Sequence, residues 1–117
     1  MRDVLVSRTG AKTISDLPQG ATLGTSSPRR AAQAMRARPD LKVEVIRGNV
    51  GTRIEKATQG EGPDATLLAA AGLSRLGLHD YLAGALSVED MLPSASQGAL
   101  GIQCRRDDHV SLTRCLP

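Results

Sequence analysis

The chain has almost no aromatic side chains: among its 117 residues there is no Phe, no Trp and a single tyrosine, Tyr81. Proteins that bind single-stranded nucleic acid use aromatic rings on which the bases stack, so this scarcity argues against that class. No run of Lys or Arg exceeds two residues, and the formal net charge is only +3. A basic stripe for duplex binding is therefore missing as well, and a nucleic-acid or phosphoprotein module is disfavoured.

Long apolar runs and paired metal ligands are also lacking. The amino-terminal apolar run is too short for a signal peptide, and the apolar stretch over residues 65–74 is too short for a membrane span. We therefore expect a cytoplasmic protein with no membrane association. Cys104 and Cys115 form no Cys-x-x-Cys pair, and His79 and His109 stand alone. We expect reduced thiols, surface or capping histidines, and no metal site.

The residues that are present suit helices packed on a sheet. With 40% hydrophobic residues the chain can hold one core, burying roughly 65% of its unfolded surface. Strand-like segments near 21–24, 42–47 and 64–69 alternate with helical segments over 28–38, 50–59 and 70–77. This alternation predicts an α/β fold. A further core face is predicted from the spacing of Leu73, Leu76, Leu78, Tyr81 and Leu82.

The segment Gly24-Thr-Ser-Ser-Pro-Arg-Arg30 lies between a predicted strand and a predicted helix. Pro28 suits the first helical position, which makes Ser27 the predicted N-cap. A helix N-terminus with Arg29 and Arg30 beside it favours carboxylate or phosphate. The alternative from this heptapeptide alone is an ordinary cap followed by two solvated arginines.

A second segment, Arg47-Gly-Asn-Val-Gly-Thr-Arg53, again follows a predicted strand and opens a predicted helix, with Asn49 as its cap. The loops that leave the carboxyl ends of parallel strands lie at one edge of a sheet, so the two segments are expected to converge on one ligand. Each guanidinium can hold a carboxylate through two parallel hydrogen bonds. The chain has twelve arginines and three lysines, a ratio that fits oxyanion binding or a coding bias of the source genome.

The residue composition changes after Leu92. Residues 93–98 have the composition of a flexible connector, and residues 99–104 that of one more buried strand. The remaining tail is charged and unpatterned.

Four ordered segments resemble motifs of the porphobilinogen deaminase (hydroxymethylbilane synthase) family. They are the two arginine segments, Leu68-Ala-Ala-Ala-Gly-Leu-Ser-Arg-Leu-Gly77, and Leu92-Pro-Ser-Ala-Ser-Gln-Gly-Ala-Leu-Gly-Ile-Gln-Cys-Arg105. The resemblance extends to Asp108. It implies a transferase of porphyrin and heme biosynthesis, which joins four porphobilinogen units with release of ammonia on a covalently attached dipyrromethane cofactor.

The resemblance also implies a domain organisation. Residues 1–92 resemble the second of three domains, a lobe like those of periplasmic binding proteins, with a mixed, mainly parallel sheet flanked by helices. Residues 93–98 would be a hinge, residues 99–108 a strand that returns to an absent first domain, and residues 109–117 an unmatched tail. The missing domains 1 and 3 would be the protein partners.

The family's catalytic aspartate lies in a Lys-Asp-x-Pro motif, and its cofactor cysteine follows a glycine; neither context occurs in this sequence. The resemblance therefore predicts no catalytic residue here, and a chain that binds porphobilinogen and oligopyrrole carboxylates without turning them over. By the same carry-over, the carboxylates of the cofactor and growing chain would be held by one set of residues: Ser27, Arg29, Arg30, Arg47, Arg53 and Arg75. Flanking polar or close-approach positions would be Thr25, Asn49, Gly72 and Gln97.

The arginine segments by themselves also fit a second class of protein, a non-enzymatic lobe that binds small anions in a solute-binding or regulatory protein. Ligand selectivity distinguishes the two hypotheses, because only membership of the deaminase family requires selectivity for oligopyrrole carboxylates.

Overall fold

The computed structural model describes residues 1–116, and four strands form one sheet. The strands are β1 (Asp3–Ser7), β2 (Thr22–Gly24), β3 (Lys42–Glu44) and β4 (Ala65–Ala69). Their order across the sheet is β1-β4-β2-β3, with β2 parallel to both β3 and β4 and with β1 antiparallel to β4. The prediction of an α/β fold with a mixed, mainly parallel sheet is confirmed.

The helices follow the strands as the alternation predicts. They are α1 (Pro28–Ala37), α2 (Val50–Thr58), α3 (Ala70–Arg75) and, beyond the sheet, α4 (His109–Cys115), with short 3-10 helices at Ile14–Asp16 and His79–Gly84. The bounds of α1 and α2 differ from the predicted ones by a single residue at the carboxyl end. Their amino ends are set locally by Pro28 and by the capping side chains, which is why the sequence locates them well.

Side chains alternate between the two faces of the sheet, and each face is covered by helices. Leu5 and Leu67 belong to a buried cluster that packs against α1. Val4 and Leu68, their neighbours in the chain, belong to a second buried cluster that packs against α2 and α3. The molecule is therefore a three-layer α/β lobe, with the sheet between two cores.

The first strand was not predicted from the sequence. β1 is buried along most of its length and pairs with β4 from Asp3↔Ala69 to Ser7↔Ala65. A run of three apolar residues is a weak strand signal by itself, and the strand forms because β4 offers a complete antiparallel partner. β1 thereby brings the amino terminus into the sheet.

Residues 99–104 have no regular structure, and no strand among residues 1–116 pairs with them, so the strand predicted to return to an absent first domain stays a prediction. Two predictions for other segments fail in this chain. The tail predicted as unpatterned contains α4, although Pro117 lies outside the described residues. Leu76, predicted in the core face with Leu73, is exposed because it follows the last residue of α3 and Gly77 then turns the chain.

Residues 99–116 extend away from the lobe. The Cα radius of gyration is 17.3 Å, against about 13 Å for a compact domain of this length. α4 buries none of its residues, and apolar side chains of the extension are exposed, among them Leu100, Ile102 and Val110. None of the helices described is long and apolar enough to cross a membrane.

Asp64 connects three strands at the amino ends of β2 and β4. Its carboxylate accepts a hydrogen bond from the Thr22 backbone N–H at 2.8 Å. It also forms an ion pair with Arg8, the residue that follows β1. The hydrogen bond from the Thr22 N–H lowers the pKa of Asp64 most, and the Arg8 guanidinium lowers it further, because both stabilise the ionised form.

Asp64→Asn should lower the melting temperature at neutral pH, because the amide loses the ion pair with Arg8. A depressed folded-state pKa means that the stabilisation is present above the unfolded pKa, about 4, and is lost as the pH falls through the folded value. The difference from wild type should therefore shrink below about pH 4. Melting curves across pH 2.5 to 7, roughly spanning that window, test this. Asp107→Asn, which neutralises an exposed carboxylate in a turn, is the control. A pH-independent difference would show that Asp64 acts through packing alone.

Candidate anion-binding site

The polar loops of the lobe meet at one edge of the sheet. β2, β3 and β4 run in the same direction, so their carboxyl ends lie together at Gly24, Glu44 and Ala69. Because β1 is antiparallel, its first residue, Asp3, lies at this edge too, opposite Ala69. We call this the carboxyl edge, and it is where ligands bind in open α/β sheets.

The loop after β2 is built to begin a helix. The Ser27 side chain accepts a hydrogen bond from the Arg30 backbone N–H at 3.2 Å, and Pro28 occupies the first helical position, so the predicted cap is confirmed. Thr25 is buried, and its hydroxyl accepts from the Ser27 backbone N–H at 3.1 Å. Both residues set the direction of α1 with bonds inside the loop.

Gly24 is required by close packing where β2 ends. A Cβ built on it would lie 2.6 Å from Pro63 Cγ and 3.2 Å from Ile46 Cδ1. A side chain at this position would push the loop after β2 away from its neighbours. The segment therefore starts with glycine for a steric reason. Ser26 donates its hydroxyl to the carbonyl of Ile46, the residue that precedes the second arginine segment.

The first turn of α1 holds an ion-paired cluster. Arg30 binds the Asp3 carboxylate through two parallel hydrogen bonds, Nη2 to Oδ1 at 2.7 Å and Nε to Oδ2 at 3.1 Å. Arg29 Nη2 shares the same carboxylate, at 3.2 Å from Oδ2. Arg30 thus holds a carboxylate in the geometry that the sequence predicts for ligand, but the carboxylate belongs to the same chain.

The charge at this helix start is opposite to the usual preference. The N-terminus of a helix carries partial positive charge, so each exposed cation there costs about 0.3–1 kcal/mol. α1 has Arg29 and Arg30 in its first turn and no acidic residue there. Asp3, from another element, offsets one of the two charges, and one net positive charge remains beside the helix N-terminus.

The second arginine segment forms the start of α2. Gly48 has φ +120°, and a Cβ there would lie 2.8 Å from Thr52 Cγ2, so the turn requires glycine. Asn49 accepts from the Thr52 backbone N–H at 2.9 Å, which confirms the predicted cap. Arg53 is half-buried and donates Nε to the Gly48 carbonyl, whereas Arg47 is exposed and its guanidinium has no partner among residues 1–116.

The structure brings only some of the predicted residues together. Gln97 lines a pocket of about 70 Å³ at the carboxyl edge with Arg29 and Arg30. Asn49, Arg47 and Arg53 lie at the same edge but do not line this pocket. The lining residues as a whole are Met1, Arg2, Asp3, Arg29, Arg30, Ala69, Met91, Pro93 and Gln97.

Two predicted residues lie on α3. Gly72 was predicted among the flanking polar or close-approach positions for the ligand, and this stays a prediction. Within the chain, a Cβ at this position would lie 3.9 Å from Val50 Cγ2, an ordinary contact. Arg75 is exposed in the last turn of α3, roughly 8 Å along the helix axis from its start.

A larger open groove, of about 460 Å³, lies beside β3 and α2 and is unsuited to anions. Glu44, Glu55 and Glu61 line it, with Lys56 as the one cation among its lining residues. Carboxylates in the groove would repel an anionic ligand. Although this groove has the larger volume, the smaller pocket at the carboxyl edge is the better candidate for anion binding because of its charge.

Asp3 is the residue at this site that the sequence reasoning missed. It is buried, and every hydrogen bond that its side chain makes within the described chain goes to Arg29 or Arg30. A helical first turn that contains two arginines and no acidic residue indicates that another part of the molecule supplies a negative charge. The sequence contains that signal but does not identify the donor, because Asp3 lies 27 residues before Arg30.

Comparison with known proteins gives a consistent result. The family model described as "Porphobilinogen deaminase, dipyromethane cofactor binding domain" matches residues 1–113, beyond Asp108 where the sequence resemblance was placed. The chain is 59% identical to the porphobilinogen deaminase of Sphingopyxis alaskensis over 113 residues, which is 95% of this chain and 35% of that protein. It is 58% identical to the enzyme of Geobacter metallireducens over 109 residues, 93% of this chain and 33% of that protein.

A third relative, the porphobilinogen deaminase of Brevibacillus brevis, is 50% identical over 111 residues, with 95% of this chain and 35% of that protein covered. The chain spans about a third of the length of these curated relatives. The family model describes the matched part as the cofactor-binding domain of porphobilinogen deaminase. With nearly all of its residues matched, the chain belongs to the porphobilinogen deaminase family.

Proposed function

We propose that this chain supplies the carboxylate-binding lobe of a cytoplasmic hydroxymethylbilane synthase, which polymerises four porphobilinogen units with release of ammonia. Its ligands would be the acetate and propionate groups of the dipyrromethane cofactor and of the growing oligopyrrole. The other two domains of the enzyme would be its protein partners. By themselves the 117 residues would bind these ligands without catalysis.

The observation that carries the proposal is the first turn of α1. Arg29 and Arg30 lie at the carboxyl edge, against the helix dipole, with only one carboxylate between them. Stability alone would favour an acidic residue here, so the cations need another reason to be present. An anionic ligand at the edge would complete the charge balance.

The donors at the edge fit the dipyrromethane cofactor. Each pyrrole ring carries two carboxylates, and Arg29, Arg47 and Arg53 could hold them by charge-assisted hydrogen bonds. The pocket of about 70 Å³ is too small for a pyrrole ring, so the ligand would lie along the open edge with a carboxylate directed into the pocket. When bound in the enzyme, the cofactor would supply the covalent primer on which the chain grows.

Covalent attachment of the cofactor would not occur on this chain. Cys104 and Cys115 are both exposed, and neither lines the pocket at the carboxyl edge. Cys104 lies in the extended segment, and Cys115 ends α4. The lobe would therefore contribute positively charged side chains, while the attachment thiol would come from another domain.

Calorimetric titration tests the proposal with a dipyrromethane that carries free acetate and propionate groups. We expect saturable binding, no binding of the corresponding methyl esters, and no competition by sulfate or duplex DNA. Lack of binding would overturn the proposal. Equal affinity for small dicarboxylates would favour the non-enzymatic anion-binding lobe instead.

Arg47→Lys should weaken binding of the free-acid dipyrromethane nearly as much as Arg47→Ala. A lysine keeps the charge but cannot make two parallel hydrogen bonds, so a loss of roughly 1–3 kcal/mol is expected in either variant. Arg36→Lys, an exposed arginine in the last turn of α1, is the matched control and should change nothing. Unchanged affinity in Arg47→Lys would mean that only general positive charge is used at this position.

A further inference from the structure

We propose that Gln33 is a positioning residue: its side-chain amide takes the place of a neighbouring strand for Leu92 and holds the chain that follows at the carboxyl edge. That chain, residues 93–98, then forms one wall of the pocket of about 70 Å³. The inference rests on the proposed function where it concerns ligand affinity. The position of the wall itself depends only on contacts within the fold.

Gln33 pairs with both backbone groups of Leu92. Its Oε1 accepts from the Leu92 N–H at 2.7 Å, and its Nε2 donates to the Leu92 carbonyl at 3.0 Å. Glutamate or lysine would serve helix α1 equally well, but a carboxylate could only accept and an ammonium could only donate. An amide offers a donor and an acceptor side by side, as a strand does to its neighbour. The pairing with Leu92 therefore explains why an amide stands at this position.

Leu92 is the residue at which the chain leaves the core. Met91, just before it, is 2% exposed and belongs to the buried cluster that packs against α1. Residues 92–107 are all exposed, so burial no longer fixes the path of the chain. The two hydrogen bonds from Gln33 act directly at this boundary. The Arg29 guanidinium also donates to the Leu92 carbonyl, which leaves the N–H as the group that depends on Gln33.

Residues 93–98 are held to the lobe by little else. Hydrogen bonds within the segment close local turns, as where the Gln97 N–H donates to the Ser94 carbonyl at 3.0 Å. Among residues 1–116, no hydrogen bond joins this segment to a helix or a strand. Pro93 and Gln97 nevertheless line the pocket beside α1. Their position there is therefore set by the hydrogen bonds that hold the preceding residue.

The test compares Gln33→Met with the wild-type 117-residue chain. Methionine keeps the length of the side chain and the helix propensity of the position, but it makes neither hydrogen bond. The Leu92 amide should then exchange with solvent roughly tenfold faster, and ¹⁵N relaxation should show greater motion in residues 94–98. Amides of the sheet should keep their exchange rates, which distinguishes release of the segment from lost stability. Gln19→Met, in an exposed position of the turn before β2, is the matched control.

The affinity for the free-acid dipyrromethane is the functional measurement. It should fall roughly fivefold in Gln33→Met, because binding must then order the wall of the pocket as well, and it should not change in Gln19→Met. Unchanged exchange of the Leu92 amide, unchanged affinity, or equally faster exchange of all sheet amides would overturn the inference and leave the proposed function intact. Lack of binding by the wild-type chain would overturn the proposed function, while exchange and relaxation would still decide whether Gln33 positions the segment.

Discussion

No porphobilinogen should be consumed by these 117 residues, at any pH, and the purified chain should carry no covalent pigment. The family resemblance places the catalytic aspartate in a Lys-Asp-x-Pro motif that this sequence does not contain. Among residues 1–116, Asp3 is the single buried carboxylate, and two guanidinium groups occupy it. The Asp3 carboxylate is thus not free for proton transfer to a reacting pyrrole.

Colorimetric loss of porphobilinogen and intact mass spectrometry measure these outcomes. The full-length enzyme of a relative is the positive control under the same conditions. Turnover above the buffer rate, or an intact mass greater than the sequence mass by one dipyrromethane, would contradict the prediction. Since activity should be absent rather than reduced, a single assay decides the question.

Self-association of the chain should depend on residues 99–117. Leu100 is 92% exposed and Ile102 74% exposed, in a segment with no regular structure and no strand partner among the described residues. Exposed apolar side chains beside unpaired backbone groups tend to recruit another chain. We expect a concentration-dependent increase in mass from the 12.3 kDa monomer to at least a dimer.

A shortened chain of residues 1–98 should stay monomeric and keep its melting temperature. It retains both cores and the two hydrogen bonds by which the Gln33 side chain holds the Leu92 backbone. Leu100→Glu with Ile102→Glu in the full chain is the matched variant and should also be monomeric. Light scattering and melting curves of the three proteins test this. Association that survives the deletion, or loss of folding without residues 99–117, would place the domain boundary elsewhere.

The helix starts could be predicted from the sequence because their causes are local. Ser27 and Asn49 each cap a backbone N–H three residues later, and Pro28 restricts its own backbone. The alternation of strands and helices depends on the same short-range patterns. An α/β lobe with two arginine segments at one edge of its sheet can therefore be predicted from short stretches of sequence, each considered separately.

Residues 99–104 form no strand within this chain, for a reason that the sequence pattern does not contain. Alternation and apolar content describe a segment that can pair, whereas a strand exists only where a neighbour supplies donors and acceptors. β1 is the converse case, since its weak pattern becomes a strand because β4 pairs with all five of its residues. Both outcomes depend on which chain segments are adjacent in space.

By itself the sequence determined the class of fold, the helix caps, the glycine turns and the cationic chemistry of the loops, because each depends on residues within a few positions of one another. The tertiary structure alone decided what the arginines contact. Antiparallel pairing of β1 with β4 places Asp3 at the start of α1, where its carboxylate forms an ion pair with Arg30. Charge in a motif predicts what a side chain can bind, whereas its partner is set by the residue that folding brings within 3 Å, here one that lies 27 positions away.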